Sequence, residues 1–99
     1  MFAYTFLKGA RLGYLDRKYA AAGKSIYAGV VKEFVTTDEK GVMSIHKGCA
    51  VAGLGGDPNS GTWRSGTFDY YVKEPVRSND PKAVGPFILA SLELDLVTR

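Results

Sequence analysis

His46 and Cys49 are the one histidine and the one cysteine of the chain, three residues apart. Such a pair could open a zinc site, or supply a nucleophile and its base. The segment around them reads as a strand, and positions three apart in a strand point to opposite faces, so the two side chains cannot converge on one ion. No metal is expected. A serine hydrolase of the common kind would need a sharp G-x-S-x-G turn and an oriented histidine. The chain has no such turn and nothing that orients His46, which leaves no catalytic residue to assign. Cys49 then reads as a small core residue.

Two glycine signals point towards phosphate chemistry and fail on context. Gly23-Lys24-Ser25 ends like a phosphate-binding loop, but Lys18 stands where the first glycine belongs, and Ile26 to Val35 reads as a strand where the motif needs a helix. Gly53-Leu54-Gly55-Gly56 is half of a dinucleotide fingerprint, with Pro58 in place of the third glycine and no βαβ unit around it. No cofactor is expected, and Gly53 to Gly61 reads as a long mobile loop. The acidic pairs Asp38/Glu39 and Glu93/Asp95 fall on a turn tip and on a solvent face, so neither is a general acid and base held in a pocket.

What survives is a basic stretch interleaved with rings: Arg11, Tyr14, Arg17, Lys18, Tyr19, Lys24 and Tyr27. Residues 1 to 32 hold six Lys and Arg against Asp16 alone, while the rest of the chain is net acidic and the whole carries +3. Cations spaced along a track neutralise phosphates, and rings between them stack on unpaired bases. The same residues would equally serve as a solvated basic face with half-buried tyrosines.

The elements that must position these residues read mostly as strands. Phe2 to Leu7 and Ser25 to Thr37 are apolar or β-branched runs. Thr37 to Gly41 separates two of them, so Val30 to Thr37 should pair with Val42 to Cys49 around a left-handed Gly41. Thr67 to Val76 and Phe87 to Val97 alternate, the last with Ile88, Ala90, Leu92, Leu94 and Leu96 inward and Ser91, Glu93 and Asp95 in water. Leu12 to Ala22 is open between a short helix and an extended hairpin arm, since Leu12, Leu15, Tyr19 and Ala22 also fit helical spacing. The expected fold is all-β: a small five-stranded antiparallel OB-like barrel with a mobile basic hairpin arm, formed by residues 1–99 as one domain. With 99 residues, 45% hydrophobic composition and one cysteine, disorder and an internal disulfide framework are excluded. The opening residues are too short in apolar character for a signal or a membrane span, so a cytoplasmic protein is expected.

In order of features the chain resembles the gene-five single-stranded DNA-binding proteins of filamentous bacteriophages. The resemblance rests on the short opening strand, the basic arm ending in Gly23-Lys24 before Tyr27, Phe34 before the hairpin and Lys47 on its return. Gly61-Thr62-Trp63 and the closing run from Phe87 to Val97 complete it. It implies that Arg17, Lys24 and Lys47 contact phosphates and that Tyr27 and Phe34 stack on bases; the basic stretch itself adds Arg11, Lys18 and Tyr19 to the expected contacts. Ser25, the tip Asp38 to Gly41 and the acidic Glu93 and Asp95 depart from that pattern.

The function expected from the sequence is therefore non-catalytic coating of single-stranded DNA during phage DNA replication by a homodimer, with no membrane and no small-molecule substrate as partner. The dimer contact would come from residues 87 to 97 and the loop Glu74 to Pro86. A small protein-binding inhibitor using the tyrosine-rich surface is the alternative. A ligand-binding or enzymatic barrel built on the 53 to 61 loop is the third.

Overall fold

Ala3 and Leu7, one helical turn apart, are both buried, and they mark the inner face of α1 (Phe2–Arg11). Gly23, Tyr27, Val30 and Phe34 recur at the spacing of one helix face on α2 (Lys18–Phe34). The two helices form a hairpin whose closest approach is Gly23 against Leu7. A β-carbon on Gly23 would lie 2.8 Å from Leu7 Cγ and 3.2 Å from the Leu7 backbone nitrogen. Gly13, at φ +79°, reverses the chain between them. The Asp16 carboxylate then accepts the Lys18 N–H at 2.9 Å and starts α2.

The computed structural model describes residues 1–99. After α2 come β1 (Val35–Thr37) and β2 (Met43–Ile45), antiparallel with Val35 opposite Ile45. β3 (Gly48–Cys49) pairs with the distant β4 (Val76–Arg77), and a short α3 (Phe68–Tyr71) lies between them in sequence. The chain closes with α4 (Pro81–Thr98). Asp80 caps α4 by accepting the Lys82 N–H at 2.9 Å, and Pro81 takes the first helical position, where its missing N–H costs no bond. α4 packs on α1 and α2. Tyr27 stacks on Phe87 with centroids 5.5 Å apart, and its hydroxyl pairs with Ser91 Oγ at 2.8 Å. Arg11 donates two hydrogen bonds to the buried Glu93, at 2.7 and 2.9 Å. Asn79 clamps the β1–β2 hairpin to the α4 entry: its side-chain oxygen accepts the Ile45 N–H at 2.9 Å, and its own N–H donates to the Ile45 carbonyl at 2.7 Å.

The expected all-β OB-like barrel is absent: the protein is helical, with two separate two-stranded ribbons. Phe2 to Leu7 belongs to α1, and Ser25 to Phe34 to α2. Residues 12 to 22 form neither a three-turn helix nor an extended arm, since α1 ends at Arg11 and α2 begins at Lys18. The expected hairpin exists only in its inner part, Val35–Thr37 with Met43–Ile45, around Gly41 at φ +82°. Residues 67 to 76 hold the α3 turn instead of a strand, and 87 to 97 lie within α4. The physical reason in the last case is tertiary pairing: Ser91 and Glu93 alternate with apolar residues as in a strand, but distant partners, Tyr27 and Arg11, take them up along a helix. Glu93, expected in water, is buried by its pair with Arg11.

The molecule is a slab of 54 × 40 × 18 Å, less than two helix diameters thick. Its surface of 7241 Å² exceeds the roughly 5,500 Å² of a monomeric protein of this mass. The 99 residues thus leave apolar faces uncovered. No helix is long and apolar enough to cross a membrane.

Candidate functional site

Two concavities contain chemistry. The first, about 190 Å³, lies between α2, the segment Ile45 to Gly48 and the start of α4, and it gathers Tyr27, Phe34 and Lys47 with His46 and Lys82. Most of its polar groups are already engaged. Tyr27 is tied to Ser91, His46 holds Thr36 Oγ1 and Ser78 Oγ at 2.7 Å each, and Lys82 pairs with Asp80 at 2.9 Å. The Lys82 side chain bonded to the Asp80 carboxylate holds that group below the usual carboxylate range, with the Lys82 backbone N–H adding to the effect. A groove satisfied by its own side chains braces helices and has little left to offer a ligand.

The second cleft, about 320 Å³, is built differently. Its floor is the segment Ala52 to Leu54, and its wall runs from Ser65 through α3 to Glu74. The Gly53–Gly61 run is fastened across its middle by two backbone hydrogen bonds between Gly55 and Arg64, at 2.7 and 2.8 Å. Gly55 and Gly56 sit at φ +75° and +117°, conformations that L side chains rarely adopt. The missing side chains leave room: the Trp63 ring would meet a Gly55 β-carbon at 3.7 Å, and Arg64 Nη1 a Gly53 β-carbon at 3.5 Å. Both large side chains are thereby laid along the loop backbone.

Thr67 caps α3 by accepting the Tyr70 N–H at 3.3 Å, and this single turn turns Tyr70 and Tyr71 into the wall. Glu74 follows one turn on, and its Oε1 is buried without a hydrogen-bond partner. A carboxylate oxygen in that state is a strong acceptor awaiting a donor. Burial raises the Tyr70 pKa, a hydrogen bond to the Glu74 side chain and the charge of that carboxylate add to the rise, and Arg64 opposes it, so that Glu74 keeps only Oε1 unpartnered. Tyr70 therefore stays a neutral O–H donor throughout the physiological range. The cleft thus offers an unfilled acceptor, a tyrosine hydroxyl and apolar rings, with the Arg64 guanidinium near Gly53 and Tyr70. Those are the parts needed to hold a polyhydroxylated ligand. Glu74 is the single carboxylate among the lining residues.

A model of the Glycosyl Hydrolase Family 88 matches residues 1–97. The chain belongs to glycosyl hydrolase family 88. The family chain is 43% identical, over its whole length, to Protein Atu3128 of Agrobacterium fabrum and to the 24.9 kDa protein in the picA locus of Rhizobium radiobacter. It spans 43% of the length of each of those relatives. A solved structure of a glycoside hydrolase from family 105 of C. acetobutylicum superposes with a TM-score of 0.86 at 44% identity, covering 95% of this chain and 25% of that one.

This membership overturns the sequence-based function. Single-stranded DNA coating, phage replication, the homodimer and the gene-five resemblance rested on the basic, ring-bearing stretch and on the order of features along the chain, and the chain has neither the barrel fold nor that family. The non-catalytic expectation and the exclusion of a small-molecule substrate fall to kinship with hydrolases, and the protein-inhibitor alternative falls with them.

The eight expected contact residues are dispersed in the family 88 chain. Arg11 is consumed by Glu93, which raises the Arg11 pKa through their hydrogen bonds and is itself held below the usual carboxylate range by them. Arg17, just before α2, and Lys18 and Lys24 on its first turns are exposed, and the Lys18 ammonium lies 5.6 Å from the Tyr19 ring centre. Tyr19 packs its ring on Phe6 at 5.3 Å. Only Tyr27, Phe34 and Lys47 are brought together, in the satisfied groove. Arg64, Tyr70 and Glu74 were missed, and Trp63 entered only through the resemblance. A usable signal existed, because Thr62 to Glu74 concentrates an indole, a guanidinium, three phenyl or phenol rings and two carboxylates directly after a glycine-rich loop.

Proposed function

We propose that this chain is the carbohydrate-positioning portion of a glycoside hydrolase, and that the cleft between Ala52 and Glu74 receives a sugar ring of the substrate. The observation that carries the reading is Glu74 Oε1, buried and unpartnered in a cleft beside a neutral Tyr70 hydroxyl. Sugar hydroxyls are donors and acceptors at once. Glu74 Oε1 accepts from one, the Tyr70 oxygen accepts from its neighbour, and the exposed Phe68 and Tyr71 rings of the lining cover an apolar sugar face. Cleavage by paired carboxyl groups needs them about 5–5.5 Å apart for retention or about 6.5–9.5 Å apart for inversion. A cleft lined by one carboxylate binds and orients, and bond cleavage belongs to the assembled hydrolase.

The test is a glycan array of neutral, amino and acidic oligosaccharides probed with the fluorescently labelled chain. Binding is expected to at least one class. Tyr71→Ala should weaken it roughly tenfold and Glu74→Gln roughly ten- to a hundredfold, the value of a charge-assisted hydrogen bond. An array on which both variants match the unaltered chain would refute the assignment of this cleft.

A further inference from the structure

We propose that the ring received by the cleft between Ala52 and Glu74 is that of an amino sugar, with its ammonium group seated between Glu74 Oε1 and the Tyr70 oxygen. The inference rests on the sugar-binding reading of this cleft and adds the class of sugar. Hydrogen-bonding capacity is the starting point. Glu74 Oε1 is buried and accepts from no group of the protein. The Tyr70 hydroxyl commits its proton to the Glu74 side chain, so towards a ligand its oxygen is an acceptor as well. Two acceptors therefore stand side by side on the cleft wall. A sugar hydroxyl brings one donor to such a pair, and its own lone pairs then face oxygen. An ammonium brings three donors and no lone pair.

Charge selects in the same direction. Glu74 is the one carboxylate of the lining, and no lysine or arginine lines the cleft. None of the ion pairs of the protein includes Glu74. Arg64, whose guanidinium lies beside Gly53 and acts on Tyr70, leaves that carboxylate unpaired. A carboxylate oxygen withdrawn from water without a partner costs stability, and a cation seated on it removes that cost. A hydrogen bond between two charged groups is also shorter and stronger than one to a neutral hydroxyl. The rings add to the preference. Phe68 and Tyr71, 77 and 56% exposed, line the same cleft, and aromatic faces attract a cation.

The experiment titrates the isotope-labelled 99-residue chain with sugars that differ only at the second ring carbon. Glucose, N-acetylglucosamine and glucosamine form one series, and their galacto counterparts form the other, at about pH 6, where such amines are protonated. In at least one series the amine should bind about tenfold or more tightly than the hydroxyl and acetamido forms, read from the backbone signals of Tyr70, Tyr71 and Glu74. With Glu74→Gln, the amine should fall to the level of the hydroxyl form. Cyclohexylammonium, a charged ring without hydroxyls, should bind more weakly than the amino sugar. Hydroxyl or acetamido forms that bind as tightly as the amine in both series overturn the amino-sugar inference and leave the sugar-binding reading standing. A preference for the amine that survives Glu74→Gln overturns the inference too, as does cyclohexylammonium binding equally well. Cleft signals that no sugar of either series moves would remove both readings.

Discussion

Gly23→Ala is expected to lower the stability of the chain by about 1–2 kcal/mol, and Gly29→Ala, six residues along the same helix, to raise it by up to about 1 kcal/mol. Both changes remove the backbone freedom that makes glycine unfavourable within a helix. They differ in what the new β-carbon meets. At Gly29 there is nothing within 4 Å. At Gly23 the methyl would fall 2.8 Å from Leu7 Cγ, 3.1 Å from Leu7 Cδ2 and 3.2 Å from the Leu7 backbone nitrogen, so α1 itself must move away from α2. Leu7 is completely buried at that crossing, and the overpacking exceeds the helical gain. Urea unfolding followed by circular dichroism measures both differences. Equal shifts for the two variants would mean that the α1–α2 hairpin does not cross at Gly23.

The second large effect concerns Arg11. Its guanidinium grips Glu93 with two hydrogen bonds while remaining about one-third exposed, whereas the Glu93 side chain is 8% exposed. Arg11→Met leaves a carboxylate buried without its partner, and the melting temperature should fall on the order of 10 °C. Arg11→Met/Glu93→Leu should recover most of that loss, because an apolar pair carries no uncompensated charge. The same contact sets the acid response. Hydrogen bonds from Arg11 keep Glu93 below the usual carboxylate range, and Lys82 does the same for Asp80. A depressed carboxylate contributes stability above its unfolded pKa, about 4, and loses it as pH falls through the lower folded value. Melting curves should therefore be flat from neutrality to about pH 5 and shift downward below about pH 4. Glu93→Gln should flatten that acid limb. An acid limb identical to that of the unaltered chain would remove Glu93 from the account.

The local chemistry of the turn at Asp38 to Gly41 was legible in the sequence, because an aspartate that accepts two backbone N–H groups and a left-handed glycine act within five residues. The helices were less so. Gly23, Tyr27, Val30 and Phe34 carry a helical period, but the β-branched and aromatic residues between them weigh towards a strand. In α4, Ile88, Ala90, Leu92, Leu94 and Leu96 alternate with Ser91, Glu93 and Asp95 as a strand would, and the partners that fold the segment as a helix, Tyr27 for Ser91 and Arg11 for Glu93, lie far away in sequence. The face left outward is one that an isolated pattern cannot recognise as unfinished. Of the candidate site, the loop from Gly53 to Gly61 could be read as a loop. The placement of Tyr70 and Glu74 could not, since α3 is a single turn without periodicity and its position depends on β3 meeting β4 across nearly thirty residues. The basic stretch was real as composition. Its partners decided its use, as Glu93 shows by engaging Arg11 from 82 residues away.

The most direct test of the sugar-binding cleft is a two-dimensional NMR titration of the isotope-labelled chain with the strongest binder on the glycan array. The account predicts that the backbone signals of Leu54, Phe68, Tyr70, Tyr71 and Glu74 shift together with one dissociation constant, while those of Arg17, Lys18 and Lys24 stay in place. Shifts confined to the first turns of α2 or to the Tyr27–Lys47 groove, or an array without any bound glycan, would contradict it.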